Sequence, residues 1–200
     1  MTILKRAGML FFLAGSVVLM GIITAEAVYP AGYSTANSQI SDLGSTIPPA
    51  SLVYQPSASI FNGTMLAAGF MVLIATWYLH RFFRKWLVSI PLSLFGLGLV
   101  GIGFFPGNHV PYHGMSAMLA FLSGGVSAIA AATISSATIS YVGIALGSIA
   151  LTTWFIAVLW PNLLFPFIGD GGTERWVAYP IMLWLIGFGG CLMNEVEMMP

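Results

Sequence analysis

The sequence predicts an all-α integral membrane protein, a bundle of six transmembrane helices with both termini cytoplasmic. Three observations carry that expectation. Of 200 residues, 58% are hydrophobic and 6% are charged, whereas soluble domains run near half apolar and about a quarter charged. Mean hydropathy is +0.93, and six acids with six bases cannot cover a soluble surface of this size. The apolar residues also fall into six stretches, each near the roughly 20 residues that a helix needs to cross a bilayer core. The formal net charge is zero, so nothing favours a nucleic-acid partner. A single cysteine, Cys191, excludes an internal disulfide.

The spans are expected at 7–28, 57–79, 87–105, 112–133, 139–160 and 175–194, within one membrane domain covering 1–200. The first resembles a signal peptide, with Lys5 and Arg6 in front and Ala25-Glu26-Ala27 as a small-residue cleavage site. Its apolar stretch is longer than a signal core, so a retained helix is the expectation. Lys5 and Arg6 precede span one, and Arg81, Arg84 and Lys85 fill the link between spans two and three. Basic residues collect on the cytoplasmic side. Both groups lie on one side only if the amino terminus is inside and the spans alternate. The carboxyl terminus then ends inside too.

The same alternation sends the loop 29–56, the link 106–111 and the link 161–174 outside. Glu26, Asp42, His109, His113, Asp170, Glu174 and Arg175 all fall at that outer face, while His80, Glu195 and Glu197 fall at the inner edge. Glycines at 96, 98, 101, 103, 143, 147, 187, 189 and 190 mark helix contacts, because small residues let backbones approach closely in lipid. Gly143-x-x-x-Gly147 also matches a dimer motif and would make a homo-oligomer. Packing inside the bundle is the plainer reading.

Asp42 lies in "SQISDLGST". It either caps a local turn, with Gly44 supplying a free dihedral, or belongs to an ordered loop that folds back over the bundle mouth. The run "YSTANSQISDLGST" is polar yet almost uncharged, which fits a buried loop. Backbone at that depth must be buried in protein or line a wet cavity. His109 and His113 lie in "FFPGNHVPYHGMSA". Pro111 places His109 just before a helix and His113 in its first turn. They are candidate ligands or general bases, or interfacial histidines satisfied by a loop carbonyl. Glu174 and Arg175 open span six. The macrodipole alone favours an acid there, by about 0.3–1 kcal/mol, and opposes a base. Arg175 is the only outer base, so it is expected to pair with Glu26 or Asp42, or to hold an anionic headgroup. Asn62 begins a glycosylation sequon but falls within span two, where a polar helix residue is the better reading.

Taken together, "ISDLGS", "FPGNHVPYHGMSA" and "GGTERWVAYPIMLWLIGFGG" resemble the prokaryotic membrane family DUF998, a domain of unknown function. That resemblance runs through most of the chain and implies a fold and a topology, with no activity. The first motif, followed by two prolines and a helix, is similar to the eukaryotic family of DRAM-type autophagy modulators and GPI-anchor lipid-remodelling proteins. The pattern of outer Ser, Asp and His resembles alkaline-ceramidase-type membrane amidases. Their pattern has seven spans and three histidine ligands, where this chain offers six spans and two outer histidines.

The leading expectation is a cell-membrane protein with an outward-facing polar pocket that binds a lipid headgroup or small molecule. Asp42, His113, Glu174 and Arg175 would line it, with Glu26 and His109 behind. One alternative is a metal-dependent lipid hydrolase or transferase at the outer leaflet. Asp42, His109 and His113 would then hold a divalent metal such as zinc, and Asp42, His113 and Glu174 would be the catalytic candidates. Another is a structural subunit of a membrane complex.

Overall fold

A computed structural model describes residues 1–194; Glu195 and Glu197, expected at the inner edge, lie outside the described residues. Six helices account for most of the chain: α1 (Ile3–Ala27), α2 (Ser57–Phe83), α3 (Trp86–Phe104), α4 (Tyr112–Ala130), α5 (Ala137–Leu159) and α6 (Phe165–Met193). Each is long and apolar enough to cross a membrane. The described residues contain no strand. The chain is therefore a multi-pass, all-helical integral membrane protein.

Short links force neighbours in sequence to be neighbours in space. Consecutive helices pack in order and α6 returns to α1, closing a ring. The ring is made tight by small residues, since lipid supplies no hydrophobic drive between helices. A Cβ added at Gly189 would meet the Gly8 carbonyl oxygen at 2.6 Å, and one at Gly69 would meet that of Gly96 at 2.8 Å. Gly98 lies on Ala120, and Gly147 on the backbone of Gly125. Gly143 also packs inside the bundle, against Ala128 and Trp184. Gly190 and Gly187 make no comparably close approach, so the expectation of a helix contact fails at those two.

Two departures from the expected layout matter for the site. The sixth span was expected to begin at 175 but α6 begins at Phe165, and it is broken at Gly169 (φ 74°, ψ 172°). The glycines of "GDGG" read as a loop in sequence, yet all but Gly169 are helical. Asp170 and Glu174 are therefore helical residues rather than members of a link. The second departure is in α5. Its buried residues are Ile139, Gly143, Gly147 and Ala150, with none beyond. The helix is held by glycines in its first half and leaves the bundle in its second, opening a space against α4 and α6.

The segment between α1 and α2 is folded onto the bundle. Ile40–Leu43 forms a 3-10 turn, and Ile40, Ser41, Leu43, Gly44 and Ser45 are buried. Glycines again set the fit. A Cβ at Gly171 would sit 2.0 Å from the Ser38 carbonyl oxygen, and one at Gly107 would sit 2.2 Å from that of Ser45. The ends of α1, α3 and α5 and the starts of α2, α4 and α6 share this long-loop end of the ring.

Candidate functional site: a loop-capped cavity between α4, α5 and α6

The loop is joined to α6 at four positions, Asp170, Gly172, Glu174 and Arg175. Gln39 Nε2 donates to Asp170 Oδ2 at 2.7 Å. The Ile40 amide donates to Glu174 Oε2. The Gly172 amide donates to the Ala36 carbonyl at 3.0 Å. Arg175 donates from Nη1 to the carbonyls of Thr35 (2.8 Å), Ser38 (3.1 Å) and Gly171 (3.0 Å), and from Nη2 to the Tyr33 hydroxyl at 2.7 Å. Glu26 Oε2 lies 3.6 Å from Nη2. Tyr33 passes its own hydrogen to the Gln39 carbonyl at 3.0 Å. Burial pushes the Tyr33 hydroxyl well above the usual phenol range, and the adjacent Arg175 only partly opposes this. The hydroxyl is thus kept neutral, able to accept from Arg175 while donating onward.

Residues 174 and 175 point about 100° apart around the helix, and Arg175 is turned to the loop carbonyls and Tyr33 and does not line the cavity that Glu174 lines. Asp170, Thr173, Glu174 and Val177 share one face, and that face lines a cavity of about 740 Å³. Its polar lining comes from the loop-proximal end: Gln39, Ser41, His113, Asp170, Thr173 and Glu174. Apolar residues make the rest: Ala117, Phe121, Trp154, Val158 and Phe165 among those of α4, α5 and α6, with Ile47 and Pro48 from the loop and Val110 from the link before α4. A second, inner cavity of about 40 Å³ lies among the helix cores and shares Ser41, His113 and Glu174 with the first. His113 and Glu174 stand on the partition between the two spaces.

His113 is 8% exposed and sits in the first turn of α4, as its position after Pro111 predicts. Its Nδ1 is 2.7 Å from the Phe105 carbonyl oxygen. A carbonyl only accepts, so Nδ1 carries the hydrogen and the neutral ring presents Nε2 as an acceptor. Asp42 is a turn cap: the Gln39 amide donates to its Oδ2 at 2.9 Å. Half-burial pushes the Asp42 carboxyl above its usual range; the Gln39 amide works against this, Asp170 adds to it and His113 relieves it. Both readings of "SQISDLGST" therefore hold in part. The stretch is a local turn, and the turn is docked in the bundle mouth.

The expected constellation divides into three. His113 and Glu174 share the cavity. Arg175 and Glu26 pair on another side of α6, and Arg175 does not line this cavity; its Nη donors are directed to the carbonyls of Thr35, Ser38 and Gly171 and to the Tyr33 hydroxyl. His109 is exposed, and its amide donates to the Pro106 carbonyl at 2.8 Å. Asp42, His109 and His113 do not form a metal site. Among the described residues no three His, Cys, Asp or Glu side chains gather closely enough, because His113 Nδ1 is directed to a carbonyl, Asp42 to an amide and His109 outward. Among the lining residues not singled out from the sequence are Gln39, Ser41, Thr173 and Trp154. The 170/174 spacing of one helical turn was a usable signal for Asp170, hidden by the assumption that its glycines formed a loop.

Six membrane-length helices closed in a ring, with a polar loop folded over one end, define the class: a multi-pass integral membrane protein. The chain belongs to the family described as proteins of unknown function, DUF998, whose profile matches residues 13–190. No curated protein and no solved structure matches it.

Proposed function

We propose that this is a cell-membrane protein whose long-loop end faces outward and whose cavity binds an amphiphile or small molecule by its polar group. The observation that carries the reading is the cavity itself. Its volume of about 740 Å³ falls within the roughly 300–1,000 Å³ typical of ligand pockets. Its polar side chains all lie toward the loop-proximal end, beside apolar ones such as Ile47, Pro48 and Val158, and the deeper lining of Ala117, Phe121 and Val177 is apolar, which suits a ligand with one polar end. Five of the six bases lie at the opposite end of the bundle or beside it, at Lys5, Arg6, Arg81, Arg84 and Lys85, which supports the orientation.

Binding is favoured over hydrolysis by how the cavity's groups are engaged. A nucleophile needs a base within hydrogen-bond reach. The Ser41 hydroxyl donates instead to Gln39 Oε1 at 3.3 Å. A docking-subunit reading is less well supported, because the polar loop is folded onto its own bundle.

The test is native mass spectrometry of the protein extracted in mild detergent, with the released adduct identified after denaturation. Gly114 lines the cavity, and a Cβ there meets nothing within 4 Å, so Gly114→Leu would reduce the cavity without a clash. An adduct bound to the native chain and lost from Gly114→Leu is expected. A native chain that carries no adduct from its own membrane, or one equally retained by the variant, would refute the reading.

A further inference from the structure

We propose that the group held at the polar end of the cavity is an ammonium borne on an apolar tail, an inference that rests on the pocket reading above and names its ligand class. Charge is the first argument. The ionisable side chains lining the cavity are Asp170, Glu174 and His113, with no lysine or arginine among them. Arg175, the one base near this end, is only 8% exposed and points its Nη atoms to Thr35, Ser38, Gly171 and Tyr33. A phosphate would meet two carboxylates and no cation. An ammonium would meet the reverse.

Hydrogen-bond capacity is the second and independent argument. The protons of the lining groups are already engaged within the protein. The Ser41 hydroxyl donates to Gln39 Oε1, Thr173 Oγ1 donates to the Gly169 carbonyl at 2.7 Å, and His113 donates from Nδ1 to Phe105. Gln39 gives one amide hydrogen to Asp170. What remains is acceptors: His113 Nε2, Glu174 Oε1, Asp170 Oδ1 and the hydroxyl lone pairs. Against these stand the second amide hydrogen of Gln39 and the indole N–H of Trp154 on the α5 wall. A cavity rich in acceptors and poor in donors suits a donor with several hydrogens, and an ammonium supplies three without accepting any. Bonds from a charged donor to carboxylates are also the strong kind.

The wall supplies the tail. Deeper along α4 and α6 than His113 and Glu174 lie Ala117, Phe121 and Val177, while Trp154, Ala157, Val158 and Phe165 add apolar surface toward the loop end. Trp154 and Phe165 bring aromatic rings, which attract cations as well as apolar chains. A free amine would use the first half of the site and leave this half in contact with nothing.

The full-length protein in maltoside micelles at pH 7 would be titrated with decylamine, decanol and decyl phosphate, with bound ligand read by native mass spectrometry. Decylammonium is expected to bind at least about tenfold more tightly than the other two, the scale of one hydrogen bond to a charged group. Asp170→Asn/Glu174→Gln keeps the acceptors for Gln39 and Ile40 while removing charge. It should bring the decylamine-to-decanol ratio close to one and leave decanol binding unchanged. Decyl phosphate binding as tightly as decylamine, or a ratio unaltered in the double variant, would overturn the ammonium while leaving the pocket. No binding of any decyl compound would refute the pocket reading itself. Ethanolamine competes weakly if the tail contributes. Competition at the affinity of decylamine would assign a soluble amine and overturn the tail.

Discussion

Replacing Arg175 by alanine should release the loop from the bundle. The side chain donates to three carbonyls and one phenol at 2.7–3.1 Å and faces Glu26 at 3.6 Å. Hydrogen bonds to a charged group contribute about 1.5–3 kcal/mol each. The four cannot simply add, because they share one group and one fixed loop geometry. Breaking a buried ionic arrangement by removing one partner typically costs about 3–5 kcal/mol, and that is the expected loss here. Glu26 contributes the lesser part: its contact is longer than a hydrogen bond and its side chain is 22% exposed. Glu26→Gln should therefore cost about 1 kcal/mol or less. The assay is thermal unfolding of the purified protein in detergent, alongside limited proteolysis across 28–56. At roughly 2–4 °C per kcal/mol for a chain of this size, Arg175→Ala should lower the midpoint by about 10 °C and expose the loop to cleavage. Arg175→Lys should recover only part of this, because a point ammonium cannot serve the planar spread of Thr35, Ser38 and Tyr33 at once. An unchanged midpoint in the alanine variant, or full rescue by lysine, would refute the clamp.

Two further outcomes follow from the loop and the topology. Burial holds the Asp42 carboxyl above the usual carboxylate range. The folded state then binds more protons than the unfolded state between the two values, and stability falls as pH rises through that window and is level above it. Asp42→Asn keeps an acceptor for the Gln39 amide and should remove that decline in stability with rising pH, read from unfolding measured against pH; a decline of unchanged slope would assign it to another group. In a Cys191→Ser background, cysteines at the exposed positions Ala50 and Asn162 should react with an impermeant thiol reagent on intact cells. One at Thr138, exposed at the opposite end, should not. The reverse pattern would invert the orientation.

The spans were legible because membrane insertion is decided by local composition, and each of the six stretches satisfies it alone. The site was legible only in part, because its geometry depends on contacts over 131 to 142 residues of separation, from Gln39–Asp170 to Tyr33–Arg175. Residue type identified His113, Glu174, Arg175 and Glu26 as groups that must find partners. It could not say that adjacent residues 174 and 175 serve different sides of α6. That division follows once α6 is extended upstream of 175, and the obstacle was glycine. In "GDGG" the glycines look like loop residues, but Gly169 is needed at positive φ and Gly171 at its 2.0 Å approach to the Ser38 carbonyl. Those same glycines explain the neutral polar loop. Because it lies backbone to backbone on α6, its carbonyls at 35 and 38 meet Arg175 directly, and side chains at the buried positions 40, 41, 43 and 45 have little solvent to face. The loop's composition, the glycines and the lone base at this end are thus three consequences of one docking, whose other face leaves Asp170 and Glu174 turned toward the cavity.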